Sequence, residues 1–298
     1  FKERKGQTQR DRDEACRLAR GKKNRACVII IHPDIDKLLR KGNPKMRQLK
    51  QAEIKDQDGM SGKNNKERMI DLFKNCPIPD YEKFLNIGLF INRQSLTRIL
   101  IMHELYKKII PVHGVIIDLG TRWGQNMALF ESIRGIYEPY NYTRKIIGFD
   151  TFGGFPAVHN KDGKAGRVHA GAFSITKDYE KYLQQILDFH EKESPIPHIQ
   201  KYQIIKGDAS EEVEKYFKEN PETIVALAYF DMDIYEPTKR CLEIIKDHVT
   251  KGSVIGFDEL NYHDFPGETI AFKEVFGLDR YRITRFPFAS TPSYVVIE

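Results

Sequence analysis

Cysteine is scarce in this chain of 298 residues, and its four cysteines are too scattered to suggest a shared site. No C-x-x-C pair and no matching histidine spacing occurs, which argues against a zinc site and against a disulfide framework. Long apolar runs are also missing. The longest, such as Ala26–Ile31 and Ile224–Leu227, fall far short of the roughly 18 residues that a membrane span needs. The sequence therefore predicts reduced cysteines and no membrane span.

Charge is distributed unevenly along the chain. Residues 1–70 hold 20 Lys and Arg against 10 Asp and Glu, a net charge of +10; since the whole chain carries +6, the remaining residues carry −4. The first residues lack the apolar stretch and cleavage site of a secretory signal, so we expect a cytoplasmic location. The Gly- and Ser-containing residues 59–64 predict a flexible link. We therefore predict a basic N-terminal appendage at 1–66 and a second domain at 67–298.

The appendage contains one strand-like run, 27–31, and one short helical possibility, 34–40. Two interpretations stay open for it. A charge-rich segment of this kind is typical of a solvated extension. Clustered Lys and Arg also attract phosphates, which would suit a nucleic acid or a nucleotide-linked substrate.

From Lys66 onward, helical and strand-like segments alternate, which is typical of a parallel sheet with crossover helices. The sequence predicts strands at 115–119, 145–149, 202–205, 224–230 and 253–257, and helices at 94–109, 126–136, 177–192, 210–219, 237–247 and 268–276. Two final strand-like runs, 281–285 and 293–297, have no helix between them. The predicted fold class is α/β: a Rossmann-like, seven-stranded, mostly parallel sheet with helices on both faces and a C-terminal antiparallel hairpin.

Ligands of an open α/β sheet bind beyond the carboxyl ends of the strands, so the residues after each strand are the informative ones. The turn Asp118–Gly124 follows the first strand and opens a helix, whose free N–H groups suit a carboxylate. A dinucleotide-binding G-x-G-x-x-G would need glycine at positions 122 and 125, where Arg122 and Gln125 stand. A nicotinamide enzyme is therefore disfavoured.

The next two strand ends carry single carboxylates. Asp150 is well placed to accept hydrogen bonds from both ribose hydroxyls of an adenosine-type cofactor. Asp208 either accepts a hydrogen bond from an adenine amino group or caps the helix that begins near Ser210. Together with the first turn, these positions predict an adenosine-type cofactor at this edge of the sheet.

The fourth and fifth strands each end in two carboxylates: Asp231 and Asp233, then Asp258 and Glu259. Such a cluster is unfavourable unless a cation neutralises it, and oxygen-only ligands suit Mg²⁺. The alternative is that these groups cap helices or pair with Lys239, Arg240 or Lys273. A hard cation would lower the pKa of an acceptor hydroxyl and position it for attack. Asp233 is the first candidate base, and His263 is the second.

Three ordered motifs make the chain resemble the macrocin O-methyltransferase family of metal-dependent sugar O-methyltransferases, over roughly residues 86–298. They are Asp150–Pro156 (DTFGGFP), Asp231–Thr238 (DMDIYEPT) and Gly252–Glu259 (GSVIGFDE). The resemblance implies a class I fold that binds S-adenosylmethionine (SAM). This sequence departs from the family pattern at Thr121–Trp123 and Gln125, and at Glu259, where aspartate is common.

The resemblance also implies roles for individual residues. The implied metal ligands are Asp231, Asp258 and Glu259, with Asp233 as candidate base. The predicted SAM-binding set comprises Asp118, Gly120, Thr121, Gly124, Asp150, Thr151, Asp208, Ala209 and Asp231. The glycine-rich segment 153–173 is long for a connection and is interpreted as a lid over the site.

These observations predict a SAM-dependent, Mg²⁺-assisted O-methyltransferase that acts on a hydroxylated small molecule, a sugar, nucleotide-sugar or natural-product glycoside. Two alternatives stay open: methylation of a catechol-type phenol, and nucleic-acid binding through the basic N-terminal segment. The acidic body and the carboxylate cluster disfavour a nucleic-acid partner, since both repel a phosphate backbone. A homo-oligomer is left open.

Overall fold

The structure, a computed structural model, describes residues 65–298. The described chain divides into two compact units after Asn86. In the smaller unit, residues 65–74 are helical and a short helix spans Asp80–Leu85. The predicted strand-like run at 27–31, the short helix at 34–40 and the link at 59–64 lie outside the described residues. The basic appendage therefore stays a prediction.

The larger unit begins at Ile87 and contains a seven-stranded sheet. Its strands are β1 (Val115–Leu119), β2 (Ile146–Asp150), β3 (Tyr202–Lys206), β4 (Val225–Phe230), β5 (Val249–Phe257), β6 (Thr284–Arg285) and β7 (Ser293–Val296). Its α-helices are α1 (Arg93–Ile109), α2 (Gln125–Tyr137), α3 (Tyr179–Lys192), α4 (Ala209–Glu219), α5 (Tyr235–Ile245) and α6 (Gly267–Val275). A 3-10 turn at Ile87–Phe90 precedes α1.

The strand order is β3-β2-β1-β4-β5-β7-β6. Strands β1 to β5 pair in parallel, and β7 pairs antiparallel with both β5 and β6. The predicted α/β sheet and its C-terminal antiparallel hairpin are confirmed. Several bounds differ from prediction by a few residues, and the predicted strand 281–285 is shortened to Thr284–Arg285. Strand β5 begins at Val249, ahead of the predicted apolar run, and α5 begins at Tyr235 because Pro237 is tolerated in the first turn of a helix.

Helices cover both faces of the sheet, and this explains why β1 and β4 are buried along their whole length. One core cluster contains Val213, Leu242 and Phe272 from α4, α5 and α6. The other contains Met102, Phe130 and Leu183 from α1, α2 and α3. The two helix layers therefore leave only the strand ends open to ligands.

Parallel pairing brings the ends of β1, β4 and β5 to one edge of the sheet. The backbone N–H of Asp231 donates to the carbonyl oxygen of Leu119 at 2.8 Å, and that of Asp258 donates to Phe230 at 2.9 Å. The residues after β4 and β5 are thus neighbours, which is the arrangement that the predicted carboxylate cluster requires. Within residues 65–298, no helix combines the length and apolar character needed to cross a membrane.

Candidate active site

A cavity of about 310 Å³ opens at this edge, within the roughly 300–1,000 Å³ range of small-molecule sites. Residues that follow all five parallel strands line it. Ten of the predicted site residues are among them: Gly120, Thr121, Asp150, Thr151, Asp208, Ala209, Asp231, Asp233, Asp258 and Glu259. Three predicted site residues, Asp118, Gly124 and His263, are not part of this lining.

The turn after β1 is held close to the end of β4 by Gly120. Its φ is +85°, and a Cβ atom there would lie 2.0 Å from the carbonyl oxygen of Asp231. Only glycine allows this approach. Asp118 lies buried beside the turn, where Nδ2 of Asn126 donates to its Oδ1 at 3.1 Å. Burial raises the pKa of Asp118 to about 6, although the hydrogen bonds from Asn126 and Thr121 lower it.

Gly124 has a structural role at the start of α2. It is the N-cap residue, with a φ of +76°, and a Cβ atom there would lie 2.2 Å from Cδ1 of Leu183. Gly124 therefore allows α2 and α3 to pack closely below the turn. Asp118 and Gly124 shape the first turn but are not part of the cavity lining, and their predicted contact with the cofactor stays a prediction.

Asp150 faces the cavity at the end of β2. The backbone N–H of Arg122 donates to Oδ2 of Asp150 at 2.7 Å, and the N–H of Phe152 donates to Oδ1. Burial raises the pKa of Asp150, and these two hydrogen bonds oppose the rise. The neighbouring Thr151 hydroxyl donates to the carbonyl oxygen of Gly154 at 2.7 Å. Asp150 thus joins the turns that follow β1 and β2 while presenting its carboxylate to the cavity.

Asp208 caps α4, which is one of the two interpretations that the sequence left open. Its Oδ1 accepts a hydrogen bond from the backbone N–H of Ser210 at 2.9 Å. Asp208 and Ala209 also line the cavity. Capping and ligand contact are therefore compatible at this position.

Two of the four carboxylates are paired with an arginine that the sequence analysis did not identify. The guanidinium of Arg98, from α1, lies 2.9 Å from Oδ2 of Asp231 and 3.0 Å from Oδ1 of Asp258. The hydroxyl of Tyr229 also donates to Oδ1 of Asp258, at 2.7 Å. None of the predicted alternative partners, Lys239, Arg240 and Lys273, pairs with these carboxylates in the described structure; Lys239 and Arg240 bind Glu274 and Glu214 instead.

The other two carboxylates, Asp233 and Glu259, line the same cavity, and the negative charge of Glu259 contributes to raising the pKa of Asp233. Burial and the neighbouring carboxylates raise the pKa of Asp233 to about 8 and that of Glu259 to about 7. Oε2 of Glu259 is buried without a hydrogen-bond partner in the described residues. Asp233 adopts the left-handed region with a φ of +64°, which is uncommon outside glycine. The four carboxylates together lack enough positive charge to balance them.

Glu268, on the first turn of α6, fixes the backbone that carries these carboxylates. Its Oε1 accepts hydrogen bonds from the N–H groups of Met232 at 3.2 Å and Asp233 at 3.4 Å, and its Oε2 accepts one from Glu259 at 3.1 Å. Burial, followed by the nearby carboxylates, raises the pKa of Glu268 well above its ordinary value. One buried side chain therefore ties together the residues that follow β4 and β5.

His263, the second candidate base, lies outside the cavity. Its side chain is fully exposed and its Nδ1 lies 3.1 Å from Oδ1 of Asp264. Of the two candidate bases, Asp233 lines the cavity and His263 does not.

The predicted lid has no helix or strand between β2 and α3, yet it is fixed at two places. Its ends are joined by hydrogen bonds between the backbones of Phe155 and Ala172 and of Gly171 and Phe155, at 3.0 and 2.8 Å. In its middle, buried Asp162 accepts hydrogen bonds from the backbone N–H groups of His159 and Tyr235. Arg167 of this segment lines the cavity.

Within residues 65–298, no three His, Cys, Asp or Glu side chains stand in an arrangement that could hold a metal ion. The donor types nevertheless fit Mg²⁺. The four carboxylates supply only oxygen atoms, and one buried oxygen of Glu259 has no partner. In this structure, Arg98 pairs with Asp231 and Asp258 and neutralises part of the cluster.

Comparisons with known proteins bear on what this cavity does. No protein-family model matches the chain, and no curated protein matches it either. Among the solved structures that match the chain, two share well over a third of the aligned residues with it. One, a calicheamicin methyltransferase, CalS11, is 42% identical with a TM-score of 0.76, and the match covers 77% of this chain and 90% of CalS11. The second, an apo structure of CalS11 described as a TDP-rhamnose 3'-O-methyltransferase in calicheamicin biosynthesis, is 39% identical with a TM-score of 0.69, over 77% and 91% of the two chains.

The chain thus shares its fold and more than a third of the aligned residues with a sugar O-methyltransferase, over nine-tenths of that protein. The order of strands, the carboxylates after β4 and β5 and the cavity at the sheet edge agree with the resemblance found in the sequence. This protein belongs to the macrocin O-methyltransferase-like family of sugar O-methyltransferases, enzymes with the SAM-dependent methyltransferase fold.

Proposed function

We propose that this protein transfers the methyl group of SAM to a hydroxyl of a sugar, nucleotide-sugar or natural-product glycoside, with a divalent cation such as Mg²⁺ at the acceptor. The observation that carries the proposal is the convergence of four carboxylates with the turns after β1, β2 and β3 around one cavity. CalS11, the relative described above, acts on TDP-rhamnose, which supports a sugar acceptor.

The chain's own residues would bind SAM along the turns after β1 to β3. The free N–H groups at the start of α2 suit the methionine carboxylate, because a helix N-terminus favours negative charge. The carboxylate of Asp150 would accept hydrogen bonds from the ribose hydroxyls. Asp208 and Ala209 would contact the adenine ring.

Asp231, Asp258 and Glu259 would hold the cation. When bound, such a cation lowers the pKa of the acceptor hydroxyl and fixes its position. Asp233 lines the same cavity and would accept the hydroxyl proton as the methyl group transfers. The segment 153–173 would exclude water from the reacting groups, with Asp162 fixing its middle against the start of α5.

Asp150→Ala is expected to weaken SAM binding at least about tenfold, since hydrogen bonds to a charged group contribute roughly 1.5–3 kcal/mol each. Calorimetric titration with SAM measures the change. Asp247→Ala, at an exposed position after α5, is the control and should bind SAM like the unchanged protein. Equal affinity in all three proteins would remove Asp150 from the cofactor site.

Asp231→Asn is expected to leave SAM affinity within about threefold while abolishing turnover and its dependence on Mg²⁺, because one carboxylate ligand is lost. TDP-rhamnose, the substrate named for CalS11, is a suitable first acceptor. Mass spectrometry of the acceptor measures methylation with and without chelator. Undiminished, Mg²⁺-dependent activity in this variant would refute the assignment of Asp231, whereas Asp247→Asn should behave as the unchanged protein.

A further inference from the structure

Arg98, on α1, contacts the acidic cluster that Asp231, Asp233, Asp258 and Glu259 form at the strand ends. Its Nη1 lies 2.9 Å from Oδ2 of Asp231, and its Nη2 lies 3.0 and 3.1 Å from the two oxygens of Asp258. Nη1 also lies 3.4 Å from the hydroxyl oxygen of Tyr229. Among the described residues, no other basic side chain forms a salt bridge with Asp231 or Asp258. Arg98 is therefore the cation that balances this half of the cluster.

The oxygens that Arg98 occupies belong to two of the three proposed metal ligands. Both oxygens of Asp258 already accept hydrogen bonds, from Arg98 and from Tyr229. The guanidinium group keeps its charge at all accessible pH values, so it cannot be neutralised to make room for a second cation. A divalent cation that binds these carboxylates would meet a charge of the same sign at close range.

The position of Arg98 allows it to withdraw. Its side chain is 25% exposed, and it lies on the first half of α1, one turn before the buried residues Ile101 and Met102. Residues 92–94, at the start of the helix, are exposed. The long, unbranched side chain can swing toward solvent while the buried second half of α1 stays in place.

We propose that Arg98 is an exchangeable internal counter-ion: its guanidinium holds Asp231 and Asp258 in the metal-free protein and leaves them when a divalent cation binds. Arg98 thereby sets the metal affinity of the site. The inference rests on the proposed function, since it takes Asp231 and Asp258 as metal ligands.

A supporting role for Arg98 predicts the opposite sign. If the guanidinium stayed hydrogen-bonded to the outer lone pairs of the ligands, it would orient them, and removing such a partner typically weakens metal binding 10–100-fold. If the guanidinium must instead leave before the cation binds, its removal eliminates the free-energy cost of that displacement, and the metal binds more tightly. The sign of the change in affinity therefore distinguishes the two roles.

The experiment measures Mn²⁺ binding to the full chain, freed of metal by chelator, through the electron paramagnetic resonance signal of unbound Mn²⁺. We expect Arg98→Gln to bind Mn²⁺ about tenfold more tightly. If Arg98 leaves the carboxylates free to bind metal in about one-tenth of the molecules, the apparent affinity of the unchanged protein is lower by that factor. Arg93→Gln, at an exposed position on the same helix, is the matched control and should bind like the unchanged protein. Unchanged or weaker binding by Arg98→Gln would overturn the inference.

Chemical modification gives a second readout that does not require a variant to fold. Phenylglyoxal reacts with accessible guanidinium groups, and peptide mass spectrometry quantifies the product at Arg98 with exposed Arg93 as reference. We expect Mn²⁺ to increase modification of Arg98 and leave that of Arg93 unchanged. A constant or reduced rate at Arg98 would contradict displacement.

Arg98→Lys replaces Arg98→Gln as the test variant if Arg98→Gln fails to unfold cooperatively. A lysine ammonium is a compact point charge that cannot bridge two carboxylates as the guanidinium does, so Mn²⁺ should again bind more tightly than in the unchanged protein. If the unchanged protein and the variants all fail to bind Mn²⁺, the metal part of the proposed function fails together with this inference. If all bind equally, only the inference fails.

Discussion

Single residues decide whether the strand ends meet at this site. Gly120 allows the turn after β1 to touch the backbone of Asp231, and Asp150 holds the backbone of Arg122 against the turn after β2. Neither contact contributes much apolar burial. Both place polar groups at fixed positions around a cavity, so a change of one side chain there affects ligand binding more than it affects the core.

Gly120→Ala is expected to lower the free energy of unfolding by about 1–3 kcal/mol and to weaken SAM binding, because the new Cβ atom would overlap the carbonyl oxygen of Asp231 at a φ of +85°. Urea unfolding and calorimetric titration with SAM measure the two effects. The matched control is Gly135→Ala, in α2, where no heavy atom lies within 4 Å of the new Cβ.

Gly135→Ala should be neutral or stabilise the protein by roughly 0.5–1 kcal/mol, since alanine favours a helix interior over glycine. It should leave SAM binding unchanged. Equal effects of the two substitutions would show that the close approach at Gly120 does not determine the site.

At the scale of elements, several helices carry a charged residue on the face that otherwise packs against the sheet. Arg98 of α1 and Glu268 of α6 serve the candidate site. Glu131 of α2 is different: it is 3% exposed, and neither carboxylate oxygen has a hydrogen-bond partner in the described residues. Burial raises the pKa of Glu131 to about 8, although the charge of Arg134 opposes the rise.

The stability contributed by α2 should therefore fall as pH rises from the ordinary glutamate pKa of 4.5 to about 8, since over this range the folded protein holds a proton that the unfolded chain has lost. Glu131→Gln mimics the protonated form. We expect its gain in unfolding free energy over the unchanged protein to increase by at least about 1 kcal/mol between pH 5 and pH 9, since one pKa unit corresponds to about 1.4 kcal/mol. Urea unfolding at the two pH values measures it.

Glu138, the residue after α2, provides a control of opposite sign. Burial raises its pKa, but hydrogen bonds from Arg144, Tyr106 and Asn141 outweigh burial and lower it overall. Its contribution to stability is present above the ordinary pKa and is lost as pH falls through the lower folded value. Glu138→Gln should therefore destabilise the protein at neutral pH and lose that effect in acid. A pH-independent difference for Glu131→Gln would contradict the assignment.

At the scale of the whole molecule, the seven strands, both large core clusters and every residue lining the cavity belong to the unit that begins at Ile87. Parallel strands form this sheet only when their crossover helices cover both faces, so the unit carries its own core. The predicted boundary at residue 66 and the structural division after Asn86 differ by a segment that contains the short helix Asp80–Leu85.

We expect the isolated fragment 87–298 to unfold cooperatively and to bind SAM within about threefold of the full chain, because an independent core satisfies the requirements of a domain. Circular dichroism during urea unfolding and calorimetric titration with SAM are the measurements, with the full chain alongside. A fragment that is unfolded or fails to bind SAM would show that residues before Ile87 complete the domain.

The sequence by itself determined the order and type of the elements. Alternating helical and apolar strand patterns are compatible with few folds other than a parallel α/β sheet, and residues typical of turns follow each strand. It also identified the carboxylates after β4 and β5, since like charges grouped at strand ends are unfavourable without a partner. The extent of β5 was missed because polar Thr250 and Lys251 interrupt its apolar pattern.

Only the tertiary structure decided which charges meet. Arg98 is far along the chain from the two carboxylates it contacts, and Glu268 is far from Met232 and Asp233, whose backbone N–H groups donate to it. A charged residue on a helix face does not reveal its partner. Their one sequence signal is position, since each continues the buried stripe of its helix where an apolar residue is expected. The tertiary structure also decided that His263 lies outside the cavity, because the orientation of a loop residue depends on packing that no local sequence pattern encodes.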